Sequence, residues 1–94
     1  MNSTNDVVEK HAASSSKLTV RTLSETSGQT AEQYALIEGD ASALRFLAEL
    51  ILAHLNSDES CGRQLHPNGP GSVHFNREST IGIYLHKLPC HLGH

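Results

Sequence analysis

An apolar segment that follows an E-G-D turn constrains the fold of this 94-residue chain more than any other feature. Asp40 ends that turn and is a natural N-cap, because its carboxylate can accept hydrogen bonds from the free N–H groups of a first helical turn. A helix is therefore predicted from about Ala41 to Asn56. Its predicted core-facing stripe has helical spacing and consists of Leu44, Leu47, Ala48, Ile51, Leu52 and Leu55.

The predicted helix is apolar on more than one side. Phe46, Leu50 and Ala53 lie outside the stripe and widen the apolar surface beyond what one small sheet can cover. The remainder must be covered by the C-terminal part of the chain, by a second copy or by another protein, and the sequence leaves these alternatives open. If a partner supplies the cover, Phe46 and Leu50 are predicted to contact it.

Strand patterns flank the helix on both sides. Alternating apolar and polar residues predict strands at 17–23 and 33–38, joined by a loop into an antiparallel hairpin. A second hairpin is predicted from residues 72–76 and 80–88, with a tight turn between them. This order predicts an α+β fold, ββαββ, in which one helix packs on one face of a four-stranded, mostly antiparallel sheet.

The chain is long enough for one hydrophobic core and too short for two. Residues 1–16, rich in Ser, Asn and Ala, are predicted to be a disordered N-terminal tail. Residues 17–88 are predicted to form a single domain, followed by a C-terminal tail at 89–94. No apolar run is long enough to span a bilayer and the N-terminus lacks the apolar region of a secretory signal, so a cytoplasmic location is expected.

The distribution of charge argues against two classes of partner. The formal net charge is -3, from ten acidic and seven basic residues, with no run of either sign. Nucleic acids and anionic membranes are bound by clustered Lys and Arg, which neutralise phosphates or lipid headgroups. Neither partner is therefore expected.

Two Cys–His pairs near the C-terminus form a pattern with metal-binding chemistry. Four residues separate Cys61 from His66, and three separate His86 from Cys90. Two thiolates and two imidazoles are a ligand set of structural zinc sites, although zinc motifs usually place paired cysteines closer together. A small zinc-binding domain is therefore the alternative functional hypothesis. The competing interpretation is that the cysteines are small, half-buried apolar residues and the histidines lie on the surface.

The same residues permit a catalytic hypothesis. The thiol of Cys61 or Cys90 could act as a nucleophile, with His66 or His86 as its base. The sequence has no strand-turn-helix nucleophile elbow and no evident residue to orient the base. No catalytic residue is therefore assigned, and the protein is predicted not to be an enzyme.

The second predicted hairpin also supplies a polar face. Pairing Val73 with Ile83 places these apolar side chains on one face and His74, Tyr84 and His86 on the other. Tyrosine is favoured in binding surfaces, so the three polar-face residues are predicted to contact a partner. The alternative is the ordinary solvent-exposed face of a half-buried hairpin.

The segments IEGDASALRFLAELILAHL and LHPNGPGSVHFNRESTIGIYL together resemble the immunity protein 32 family of bacterial polymorphic-toxin systems. The resemblance covers about residues 36–85 and lies in the turn, the apolar helix, the Pro/Gly-rich loop and the strand after it. It implies a non-enzymatic protein that binds and occludes a cognate toxin. The sequence therefore predicts a protein-interaction module whose partner is another protein, such as a toxin, or a second copy of the chain.

Overall fold

Two helices and four strands form an α+β fold in the computed structural model, which describes residues 3–27, 30–57 and 61–90. In chain order the elements are α1 (Thr4–His11), β1 (Thr19–Ser27), β2 (Thr30–Glu38), α2 (Ala41–Leu55), β3 (Gly62–Leu65), a 3-10 turn (Ser72–His74) and β4 (Ile83–His86). The strands form two separate two-stranded antiparallel sheets, β1–β2 and β3–β4. The predicted α+β class is confirmed, whereas the predicted single four-stranded sheet is wrong.

The first hairpin and the long helix agree with the sequence patterns. Strands β1 and β2 pair antiparallel from Thr19 with Glu38 to Ser27 with Thr30, so both strands extend into the predicted loop. Threonine favours extended backbone, which suits these polar extensions. The carboxylate of Asp40 accepts a hydrogen bond from the Ala43 N–H, and α2 follows as predicted.

The predicted second hairpin does not form. Strand β4 pairs with β3, and the register places Gly62 opposite His86 and Leu65 opposite Ile83. The segment expected to pair with β4 runs instead along the outer edge of β1, where Phe75 bridges to Leu18. This edge offers unpaired backbone groups, and bonding them satisfies both segments. The predicted pairing of residue 73 with residue 83 is therefore wrong.

Ser79 shows how closely this segment follows the edge of β1. Its buried hydroxyl donates to the Leu18 carbonyl at 3.1 Å and accepts from the Val20 N–H at 2.9 Å. The N–H groups of Thr80 and Ile81 then donate to the Val20 carbonyl. Hydrogen bonds thus hold the residues before β4 along the edge of β1, although they form no strand.

The predicted disordered tail contains a docked helix. Ser3 and Asp6 form a capping box at the start of α1, and Val7 is 1% exposed. Lys10 and His11 of the last turn contact the carboxylate of Glu49 on α2. An isolated helix of eight residues is only marginally stable. The capping box and the packing against α2 therefore explain why this segment is ordered, although its polar composition indicates disorder.

The core lies on the side of α2 opposite to the predicted stripe. The buried residues of α2 are Ala43, Phe46, Leu50, Ala53 and His54. They pack with Val7, Leu18, Val20, Leu65 and Phe75. Of the predicted stripe, Leu47 does pack against this core. The prediction is wrong for the other five residues, because α2 is apolar on two sides and α1 with β1 cover the side that carries Phe46.

Candidate functional site

The side of α2 that faces away from the core is an exposed apolar surface. Its large side chains are 43% exposed at Leu44, 44% at Ile51, 57% at Leu52 and 58% at Leu55. Ala41 and Ala48 are exposed between them. At 100° of rotation per residue, these six residues occupy about 100° of the helix circumference. We call this surface, Ala41, Leu44, Ala48, Ile51, Leu52 and Leu55, the α2 face.

A shallow groove borders the C-terminal half of the α2 face. It has a volume of about 190 Å³ and is lined by Ile51, His54, Leu55, Leu85, His86 and Lys87. The ammonium of Lys87 donates to the carbonyls of Leu55 and Ser57 at the end of α2. The Nε2 atom of His54 lies 2.9 Å from the Cys61 carbonyl. These bonds hold the C-terminal end of the helix against β3 and β4, so hydrogen bonds fix the walls of the groove.

The two ends of α2 carry opposite charges. At the N-terminal end, hydrogen bonds from the Ala43 N–H and the Ser16 hydroxyl hold the pKa of Asp40 below its ordinary value. Glu38, also acidic, is exposed just before it. At the C-terminal end, the ammonium of Lys87 lies against the last carbonyls, where a cation also complements the helix dipole. The α2 face therefore runs from an acidic end to a basic end.

The polar side of α2 is partly occupied by α1. The ammonium of Lys10 lies 3.0 Å from the Glu49 carboxylate, and Nε2 of His11 lies 3.3 Å from the same oxygen. The hydrogen bond from Lys10, followed by that from His11, lowers the pKa of Glu49. The carboxylate of Glu49 is thus already paired with α1. Between Glu49 and the α2 face lies Arg45, whose side chain is exposed.

The structure weakens the zinc hypothesis. Cys61 and Cys90 are joined by a disulfide, and a sulfur bonded in this way cannot act as a thiolate ligand. Within residues 3–27, 30–57 and 61–90, no group of three or more His, Cys, Asp or Glu side chains is placed to hold a metal ion. The disulfide therefore weakens the hypothesis of a site built from Cys61, His66, His86 and Cys90.

The same bond removes the nucleophile from the thiol-enzyme hypothesis. The structure places His66 on the surface loop after β3, where its Nδ1 accepts from the Asn68 N–H at 3.0 Å. His86 is exposed at the end of β4. A histidine beside a disulfide has no thiol to deprotonate. The sequence-based catalytic pairs therefore have no counterpart in the described residues.

Three of the five predicted partner-binding residues are inaccessible. Phe46 is 3% exposed, Leu50 is 0% exposed and His74 is 3% exposed. Phe46 and Leu50 lie in the core because α1 and the start of β1 pack over this side of α2. His74 is buried against Phe46. Tyr84 and His86 are exposed on β4, with ring centroids 6.2 Å apart. The predicted patch of His74, Tyr84 and His86 is therefore reduced to the last two.

A second groove lies beside Tyr84. It has a volume of about 200 Å³ and is lined by Gln64, Leu65, His66, Gly82, Ile83 and Tyr84. Both grooves are smaller than the roughly 300 to 1,000 Å³ that is typical of small-molecule sites. They suit side chains of a protein partner better than an enclosed ligand.

The predicted binding residues omitted the α2 face, although one signal pointed to it. The helix has two apolar sides, and a chain with one small core can bury only one of them. The sequence therefore indicated that the second side would need cover from the C-terminal part of the chain, a second copy or another protein, but it assigned the large residues of the wrong side to the core.

Comparisons with known proteins add no relative, since no family model, curated protein or solved structure matches the chain. Among the residues that the structure describes, neither helix has the length and hydropathy needed to cross a membrane. The candidate site is therefore argued from geometry alone.

Proposed function

We propose that this protein is a non-enzymatic protein-interaction module that binds through the α2 face. The observation that carries the proposal is the exposure of Leu44, Ile51, Leu52 and Leu55 on one side of a single rigid helix. Contiguous exposed aliphatic surface is costly in water and commonly marks an interaction site. A protein surface can cover such a long, convex helix, whereas a small molecule needs a concave pocket.

The arrangement of polar groups also supports binding over catalysis. The sulfur atoms of both cysteines are joined in the disulfide, and the Glu49 carboxylate is paired with Lys10 and His11. An acid–base or nucleophilic mechanism needs reactive groups that converge on a site for the reacting atom. The groups around the α2 face instead hold α1, β3 and β4 in place.

A narrower proposal is that the bound partner is a bacterial toxin. It rests on the resemblance of about residues 36–85 to immunity protein 32, a segment that includes the whole of α2. An inhibitor of this type acts by covering its target, for which an exposed helix face on a small scaffold is suitable. The net charge of -3 is too small to select a basic toxin by electrostatic attraction.

The disulfide bears on where such a module would act. Disulfides persist in oxidising compartments and are rare in the reducing cytosol. The Cys61–Cys90 bond thus favours an oxidising compartment over the cytoplasm expected from sequence. Alkylating free thiols in intact cells before lysis tests this, because an oxidised protein stays unlabelled until it is reduced.

The interaction proposal is tested by photo-crosslinking in cells of the native host. A photoreactive amino acid replaces Leu52 on the α2 face or, as a matched control, the exposed Thr22 on β1. We expect protein adducts at position 52 and fewer or none at position 22. Equal yields at both positions, or no protein adduct at position 52, would contradict the proposed surface.

The toxin proposal needs its own experiment. The protein is co-expressed with the toxin domain encoded beside its gene, and growth is compared for wild type, Leu52→Asp and Thr22→Asp. We expect wild type and Thr22→Asp to restore growth and Leu52→Asp to fail while remaining folded by circular dichroism. Absence of a neighbouring toxin gene, or protection that does not depend on position 52, would remove the support for an inhibitor of this kind.

A further inference from the structure

We infer that the α2 face binds a second copy of this chain, with the two α2 helices antiparallel and crossing at Ala48. The inference rests on the proposed interaction module, and it replaces the toxin as the occupant of the same surface. Four properties of the surface support it: the spacing of its residues, the position of its alanines, the groove at its C-terminal end and the charges at its two ends.

The spacing of the exposed residues is that of a helix–helix seam. Positions 41, 44, 48, 51 and 55 follow one another at intervals of three, four, three and four residues. This is the a/d pattern by which two helices pack side by side along their length. The core-facing side already has its partners in α1, β1 and β3, so the seam on the opposite side is available to a helix from outside the chain.

The alanines favour an antiparallel arrangement about one point. Residue 48 is the midpoint of α2, which runs from residue 41 to residue 55. A two-fold axis beside Ala48 places Ala41 opposite Leu55 of the second copy, so that a small side chain faces a large one. Such alternation fills the space between helices, and a small residue at the crossing allows axes near 8 Å apart.

The groove at the C-terminal end fits this arrangement. The same two-fold axis places Leu44 of the second copy at the height of Leu52, on the side of α2 that carries Ile51. The groove of about 190 Å³ opens there, between α2 and β4. Leu44 of each copy would therefore enter the groove of the other, which gives both an anchor and a register.

The end charges select antiparallel over parallel pairing. In the antiparallel arrangement the acidic end of one α2, with Asp40 and Glu38, approaches the basic end of the other, with Lys87. The helix dipoles also oppose each other favourably. Parallel pairing would bring like charges together at both ends. A two-fold interface must be complementary to itself, and this surface has that property.

Disulfide trapping tests the crossing point. Ala48→Cys is compared with Ala41→Cys, both with the native Cys61–Cys90 bond intact, after mild oxidation and non-reducing electrophoresis. In the inferred dimer the two residues 48 meet, whereas the two residues 41 are separated by 14 positions, or about 21 Å. We expect a reducible covalent dimer from Ala48→Cys at a yield at least tenfold above that from Ala41→Cys. Equal trapping of both variants would overturn the antiparallel arrangement.

Sedimentation tests the dimer without a new cysteine. We expect the wild type to sediment as a dimer, Leu52→Asp as a folded monomer and the control Thr22→Asp as a dimer. A wild-type monomer at all concentrations, or a dimer that survives Leu52→Asp, overturns the inference.

Failure of the inference can be separated from failure of the proposed function. A wild-type monomer that still gives adducts with a different protein at position 52 overturns the second-copy inference and leaves the interaction module intact. A wild-type monomer without protein adducts overturns both. An adduct that joins two copies through position 52 supports both.

Discussion

The imidazole of His74 stacks on the ring of Phe46, with ring centroids 4.1 Å apart and planes inclined by 12°. The Nε2 atom of His74 is buried and has no hydrogen-bond partner among the residues that the structure describes. Burial lowers the pKa of His74, the positive charge of Lys17 and that of His11 act in the same direction, and a hydrogen bond to the backbone of Val8 opposes them. The contact that joins α1, α2 and the 3-10 turn therefore favours the neutral ring.

Protonation of His74 is expected to destabilise the fold in acid. Because the folded pKa lies below the ordinary value of about 6.5, the unfolded chain binds this proton more tightly. The free energy of unfolding should be greatest above about pH 6.5 and should fall as the pH decreases below that value. Urea unfolding across this range measures the change. His74→Phe retains an aromatic ring and should reduce the slope of the free energy of unfolding against pH. The control variant His86→Gln, at an exposed position, should not reduce this slope. An unchanged slope in His74→Phe would show that other groups cause it.

The orientation of α2 predicts different costs for two neighbouring leucines. Leu50 is fully buried and Leu52 is 57% exposed. Leu50→Ala should lower the free energy of unfolding by about 2–5 kcal/mol because it leaves a cavity in the core. Leu52→Ala should change it by about 0.5 kcal/mol or less in dilute solution. Equilibrium urea unfolding of the two variants decides between the structure and the stripe predicted from sequence, which requires Leu52 to be the costly position.

Reduction of the disulfide should weaken the fold without changing its pattern of secondary structure. The bond joins residues separated by 29 positions, and closing a loop of this size stabilises a protein by about 3–4 kcal/mol. Reductant should lower the urea midpoint of the wild type. The double variant Cys61→Ala, Cys90→Ala should have this lower urea midpoint from the start, and reductant should not change it. A midpoint of the wild type that reductant leaves unchanged would mean that the bond adds no stability.

Gly71 is required by the turn that precedes the 3-10 segment. Its φ of 78° lies in the left-handed region, and a Cβ there would collide with the side chain of the buried Leu65. Gly71→Ala should therefore cost about 1–3 kcal/mol. Gly69→Ala is the control, because the nearest atom to its added Cβ is 3.7 Å away, at His66. Thermal unfolding of both variants measures the difference, and equal melting temperatures would contradict this geometry.

The local signals in the sequence predicted part of the fold correctly. The N-cap of Asp40, the extent of α2 and the pairing of β1 with β2 depend on neighbouring residues, and each was predictable from them. The capping box of Ser3 and Asp6 was a similar local signal for α1, but the polar composition around it indicated disorder.

The pairing of β4 depended on contacts between distant residues. Its residues alternate in a way that suits either partner, and the choice of β3 follows from the docking of Phe75 and Ser79 along β1. The disulfide is also non-local, because Cys61 precedes β3 and Cys90 follows β4. Pairing these strands brings the two cysteines together, which spacing alone did not predict.

The sequence by itself determined that a strongly apolar helix, capped by Asp40, would follow a hairpin and would carry more apolar surface than one small sheet can cover. Only the tertiary structure decided which side of that helix is buried. Both sides have helical periodicity, so the choice depends on what packs against the helix. Val7 of α1 and Leu18, which lies just before β1, pack on the side that carries Phe46 and Leu50. The side with Leu52 was left exposed, and the proposed function rests on that exposure.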